Sequence, residues 1–208
     1  MDNKSAAEKR FFDALISLLK KKNFGTISVM DIVKEAKASR STFYFYFESK
    51  YQLLEDLENI LIGGFTDIML DLRNDGKDKY YESISQKQNQ HFIEYFKYIK
   101  KHSRAFDVLL NSDSQTGFSV RFTRAIMKTR LETSKRWRNS STSSVTDKQN
   151  QLATEKIYRE EVLSSIYVSL IKTWLHRKMD LSESEMAEMM IHHWEIIVNY
   201  DKYSFVTK

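Results

Sequence analysis

Between residues 28 and 50 the chain reads SVMDIVKEAKASRSTFYFYFESK, and the side chains there that could do chemistry are hydrogen-bond donors, not nucleophiles or metal ligands. Arg40 carries a planar guanidinium able to give two parallel hydrogen bonds to guanine O6 and N7. Thr42 offers a methyl group to thymine or a hydroxyl to phosphate, and Ser41 is short enough to admit close approach. Tyr44 and Tyr46 bring phenolic hydroxyls that can hold phosphates. Lys50 adds a point charge beside the positive end of the helix it opens. Together these groups suit a nucleic-acid duplex, with the arginine at base edges and most of the others along the backbone.

Such side chains work only on an element that can enter a groove. Ser28 ahead of Val29, Ile32, Val33 and Ala36, with Asp31 three positions on, predicts a capped helix over 28–36. Lys37-Ala38 makes the turn, and Ser39 opens a third helix, SRSTFYFY. Phe43 and Phe47 are expected to face inward there, with Tyr44 and Tyr46 outward. A first amphipathic helix, roughly 4–22, follows from Phe11, Leu15 and Leu19 with Phe12 and Ile16 beside them. Two short helices on a tight turn, the second opening in small polar residues and arginine, meet the geometric needs of a helix-turn-helix.

Helical spacing continues to the end of the chain. A helix from Ser49 carries Tyr51, Leu53, Leu54, Leu57, Leu61, Phe65, Ile68, Met69 and Leu72. Gly63-Gly64 interrupts it, marking either close packing on a neighbour or a bend. Further helices are expected over 80–101, 105–110, 117–136, 152–177 and 182–199, with Ser182 and Glu185 spaced as a capping box. Residues 139–151 read as a mobile loop. The fold class is therefore all-α: an N-terminal three-helix bundle, residues 1–50, and a C-terminal helical domain, residues 51–208, about nine helices in total.

Composition narrows the chemistry. The 208 residues contain no cysteine, no proline and five glycines, which excludes thiol catalysis, thiolate metal sites, disulfides and glycine-rich phosphate loops. His91, His102, His176, His192 and His193 form no HExxH pattern, and Ser, His and Asp show no local catalytic signature, so neither metal, cofactor nor enzymatic activity is expected. No apolar run is long enough to span a membrane and the N-terminus is polar, so the expected setting is cytoplasmic. Residues 1–50 hold ten basic and six acidic side chains, hence four of the five net positive charges. A polyanion should meet the front of the chain. The basic run Lys128, Arg130, Lys135, Arg136 and Arg138 reads as a solvated face.

The stretch from Phe11 to Leu54 resembles the DNA-binding domain of the TetR family of bacterial transcriptional regulators. The family pattern is matched, in order and spacing, by Ser28, Asp31, Ile32, Ala36, Ser39, Thr42, Tyr44, Phe47, Lys50, Leu53 and Leu54. The resemblance implies phosphate contacts from Ser28, Tyr44 and Lys50, base contacts from Arg40, Ser41 and Thr42, and a backbone or base contact from Tyr46. Lys37 stands where the family commonly has glycine. It must take the turn without glycine's freedom, and it could add a phosphate contact.

Residues 75–200 are similar, more weakly, to the helical ligand and dimer domain of the same family. This implies a homodimer on a palindromic double-stranded operator, and repression released by a small molecule. The penultimate helix is apolar nearly all round, so covering it by a second copy places Leu163, Ile166, Tyr167, Leu170, Ile171, Trp174, Met190, Trp194 and Ile197 at the dimer interface. Phe65, Met69, Phe92, Phe96, Phe106, Phe118 and Phe122 are candidates for an apolar effector pocket, with ordinary core packing as the competing explanation. Two other functions fit the same residues: a DNA-binding activator or co-regulator whose C-terminal domain meets a protein, and an interaction module that has lost DNA binding.

Overall fold

The computed structural model describes residues 5–74, 90–111, 116–139 and 147–199. Among these residues every regular element is helical: α1 (Ala6–Leu19), a 3-10 turn (Phe24–Thr26), α2 (Val29–Glu35), α3 (Arg40–Tyr46), α4 (Lys50–Asn74), α5 (Gln90–Lys101), α6 (Ser103–Asn111), α7 (Phe118–Asn139), α8 (Asp147–His176) and α9 (Glu183–Asn199). Two compact units emerge, one of residues 1–64 with 102–120 and the other of residues 65–101 with 121–208. The first unit thus extends beyond residue 50, because the start of α4 is fastened to the 3-10 turn. Phe24 and Tyr51 meet edge to face at 5.4 Å, and Lys50 is anchored to the same turn. No described helix is long and apolar enough to cross a membrane.

Local signals start and stop the helices of the first unit. Ser5 and Glu8 form a reciprocal capping box on α1, and Ser28 and Asp31 form another on α2. Helix α2 ends in a Schellman motif: the Ala38 N–H donates to the Val33 carbonyl and the Lys37 N–H to the Lys34 carbonyl. Lys37 sits at the left-handed position of that motif with φ 50°, the site that favours glycine. The buried face of α1 then supplies the core. Phe11 lies edge-on to Phe43 at 5.4 Å and to Phe47 at 5.9 Å, and Phe12 meets Phe47 at 5.7 Å. Four interlocked phenyl rings fix the angle at which α3 is presented.

In the second unit α5 packs on α9, joined at the rim by Lys100 and Glu183 at 2.8 Å. Phe65 contacts Tyr95 at 5.3 Å and Phe122 at 5.0 Å, while Phe96 stands edge-on to Trp174 at 5.5 Å. The Trp174 indole N–H donates to the Leu181 carbonyl at 2.9 Å, closing the turn from α8 to α9. That turn repeats the Schellman geometry with lysine again at the left-handed position, Lys178 at φ 61°. Between α7 and α8 the buried guanidinium of Arg130 pairs with the buried Glu160 carboxylate and lies 5.5 Å from the Tyr167 ring centre. Arg130 was expected on a solvated face, but its side chain points to the interior.

Two other sequence expectations change, and part of a third falls where nothing tests it. Helix α8 begins at Asp147, inside the stretch read as a loop, because a wholly polar helical turn shows no apolar period. Residues 80–89 of the expected helix 80–101 lie outside the described residues. At Gly63 an added Cβ would meet nothing within 4 Å among the described residues beyond its own helix backbone, so close packing on those residues does not account for that glycine, and α4 runs through it as continuous helix.

Candidate nucleic-acid interface

Helix α3 is seven residues long, capped by the Ser39 hydroxyl, which accepts from the Thr42 N–H at 3.0 Å. Phe43 and Phe47 are buried, as their spacing suggests. The opposite face exposes Arg40, Ser41, Tyr44 and Phe45, with Tyr44 49% and Phe45 80% accessible. The Arg40 guanidinium lies 5.9 Å from the Tyr44 ring centre and enters no ion pair among the described residues. Ser39 Oγ lies 2.7 Å from both Ser41 Oγ and Thr42 Oγ1, so the helix opens on a cluster of three hydroxyls.

Tyr46 departs from its expected outward pose. It is half-buried, with its ring 6.5 Å from Phe11, because residues 44 and 46 are about 200° apart around a helix and cannot share its outer face. The outward residue is Phe45, a position with no polar group to mark it in the sequence. Counting four from Ser41 would have found it, whereas the alternating FYFY pattern pairs the tyrosines misleadingly.

Lys50 also has a different task from the one expected. Its ammonium donates to the carbonyls of Phe24 at 3.0 Å, Gly25 at 3.1 Å and Ile27 at 2.7 Å, and lies 4.9 Å from the Phe24 ring centre. An ammonium has three protons, all engaged here, which leaves none for a phosphate. Lys50 clamps α4 to the turn ahead of α2. Lys50→Met should therefore lower stability by about 2–3 kcal/mol in urea denaturation, since charge-assisted hydrogen bonds are lost and part-buried carbonyls are left without a donor. An unchanged midpoint with weaker DNA binding would restore the phosphate role.

Ser28 is committed to its cap. Its hydroxyl donates to the Asp31 carboxylate at 2.8 Å and accepts from the Asp31 N–H at 3.1 Å. Asp31 is held down at about 2 by the Ser28 N–H, then by the Ser28 hydroxyl, and then by Lys22. A lowered carboxyl adds stability above its unfolded value, so this cap is fully effective above about pH 4 and fades as pH falls toward 2. Lys37 is exposed at the turn.

Of the residues expected at a dimer interface, Leu163, Tyr167, Ile171, Trp174 and Met190 are buried within the single chain and have no surface to offer. Ile166 and Leu170 are half-buried, and the side chains of Trp194 and Ile197 lie outside the described residues. Among the described side chains of α8 the exposed large apolar groups are instead Ile157, Tyr158 and Val162. The pocket candidates are buried too. Phe65, Met69, Phe92, Phe96 and Phe122 belong to the second unit, whereas Phe106 and Phe118, 5.9 Å apart, belong to the first.

Comparison with known proteins gives this geometry its context. Residues 11–57 match the family model of bacterial regulatory proteins of the tetR family, and residues 86–193 match that of a transcriptional regulator C-terminal region. Over 107 residues the chain is 26% identical to the uncharacterized HTH-type transcriptional regulator YxbF of Bacillus subtilis, a match covering 51% of this chain and about a quarter (27%) of that relative. In structure it is similar to a TetR transcriptional regulator from Streptococcus agalactiae, with TM-score 0.57, 20% identity, and 90% and 92% of the two chains covered. It is also similar to the dihydroxyacetone kinase operon activator DhaS, with TM-score 0.54, 18% identity, and 95% and 97% covered. The two family models together take in both the helix-turn-helix and more than half of the chain, so the protein belongs to the TetR family of bacterial regulatory proteins.

Proposed function

We propose that the chain is a sequence-specific, DNA-binding transcriptional regulator that works as a homodimeric repressor and leaves its operator when a small apolar or aromatic effector binds. The observation that carries this reading is the outward face of α3, where Arg40, Ser41 and Tyr44 are exposed together on a helix anchored from behind by buried rings. In a dimer two such helices would reach successive major grooves about 34–36 Å apart on a palindromic site. On α8, Tyr158, Val162, Ile166 and Leu170 recur every four residues from exposed to half-buried, and they support a second copy packing there. An effector would have to open the ring cluster of Phe65, Tyr95 and Phe122, shifting occupancy by its differential affinity for the two conformers.

Gel-shift titration at two salt concentrations, on duplexes recovered by the protein from a randomised pool, tests the reading. Arg40→Ala should relax base preference at one position by about 1–3 kcal/mol. Lys37→Gly should weaken every duplex alike and reduce the salt slope by about one. The same change should raise folding stability by about 1 kcal/mol, because glycine takes the left-handed turn without strain. Affinity that ignores both salt and sequence would overturn the proposal.

A further inference from the structure

We propose that Phe45 is a specificity-determining residue that reads the C5 methyl group of a thymine in each operator half-site. The inference rests on the DNA-binding reading above and adds a base contact that Arg40 and the hydroxyls do not supply. With 80% of its surface accessible, Phe45 is more exposed than any other large apolar side chain among the described residues of the first unit, and it sits on the element that also displays Arg40, Ser41 and Tyr44. Four residues after Ser41, it lies one turn along the same face.

Most of its ring faces water, with one aromatic neighbour at its edge. Phe45 stands edge-on to Tyr46 at 4.9 Å, and Tyr46 in turn leans on the buried Phe11. A phenyl group has neither donor nor acceptor, so it cannot hold a phosphate or pair with a polar base edge. The apolar group that the major groove offers is the thymine methyl, so burying Phe45 against it removes two apolar surfaces from water at once.

The test uses the full-length protein and duplexes that the wild type recovers from a randomised pool, with each thymine replaced in turn by deoxyuridine, which removes the methyl and nothing else. At one thymine per half-site the replacement should weaken wild-type binding about fourfold, the worth of one buried methyl group. With Phe45→Ala the same replacement should change nothing, and the variant should bind the thymine and uracil duplexes alike. Its melting curve should match wild type, because the side chain is exposed. If no thymine shows a wild-type penalty, or if the penalty persists undiminished in Phe45→Ala, Phe45 does not read the methyl while DNA binding itself stands. If no duplex is recovered at all, the DNA-binding reading falls and this inference with it.

Discussion

Glu160→Ala is expected to lower stability by about 3–5 kcal/mol, because it removes the carboxylate that is paired with the buried Arg130 guanidinium in the second unit. Both side chains are almost wholly buried. Removing both charges together should do far less harm. Arg130→Met with Glu160→Met leaves unbranched apolar chains of similar reach, and an apolar replacement of a buried pair is often neutral or better. The urea midpoints of the two single variants and the double variant form a closed cycle that measures the coupling. Losses that simply add in the double variant would show that the two charges do not depend on each other, contrary to the geometry.

Phe47→Ala should be comparably severe, at about 3–5 kcal/mol, and should abolish operator binding as well. The ring touches Phe11, Phe12 and Phe43, so its removal opens a cavity where α1 and α3 are fixed to each other. Phe45→Ala, two residues away, provides the contrast. Its ring is largely exposed, and truncation should change stability by less than about 0.5 kcal/mol. Equal stability losses for the two variants in a denaturation experiment would contradict the assignment of inner and outer faces.

Helix positions were legible because their signals are local. The Ser28–Asp31 and Ser182–Glu185 pairs announce α2 and α9, and both form reciprocal capping boxes in the folded chain. The Schellman turn was legible at Lys37 as the place where glycine would be easier. What escaped depends on contacts distant in sequence. Nothing in the residues around Lys50 says that its ammonium reaches back to carbonyls at positions 24, 25 and 27. From Ile157 onward apolar residues fall on several faces of α8, so composition could not tell Leu163 and Tyr167, which face the chain's own core, from Tyr158 and Val162, which face outward. Arg130 looked like one more cation in a basic run until Glu160, thirty residues later, was seen beside it.

The hydroxyl cluster at the start of α3 bears on how the helix can adapt to what it meets. Ser39, Ser41 and Thr42 own three protons between them but share only two mutual contacts, and in each contact either oxygen can donate. One proton is therefore always surplus. Reversing the direction of donation hands that proton to Ser41 or to Thr42 while the Ser39 oxygen goes on accepting from the Thr42 N–H. The recognition helix can in this way aim a donor at an acceptor on either side of its first turn by rotating hydroxyls alone, with no movement of its backbone.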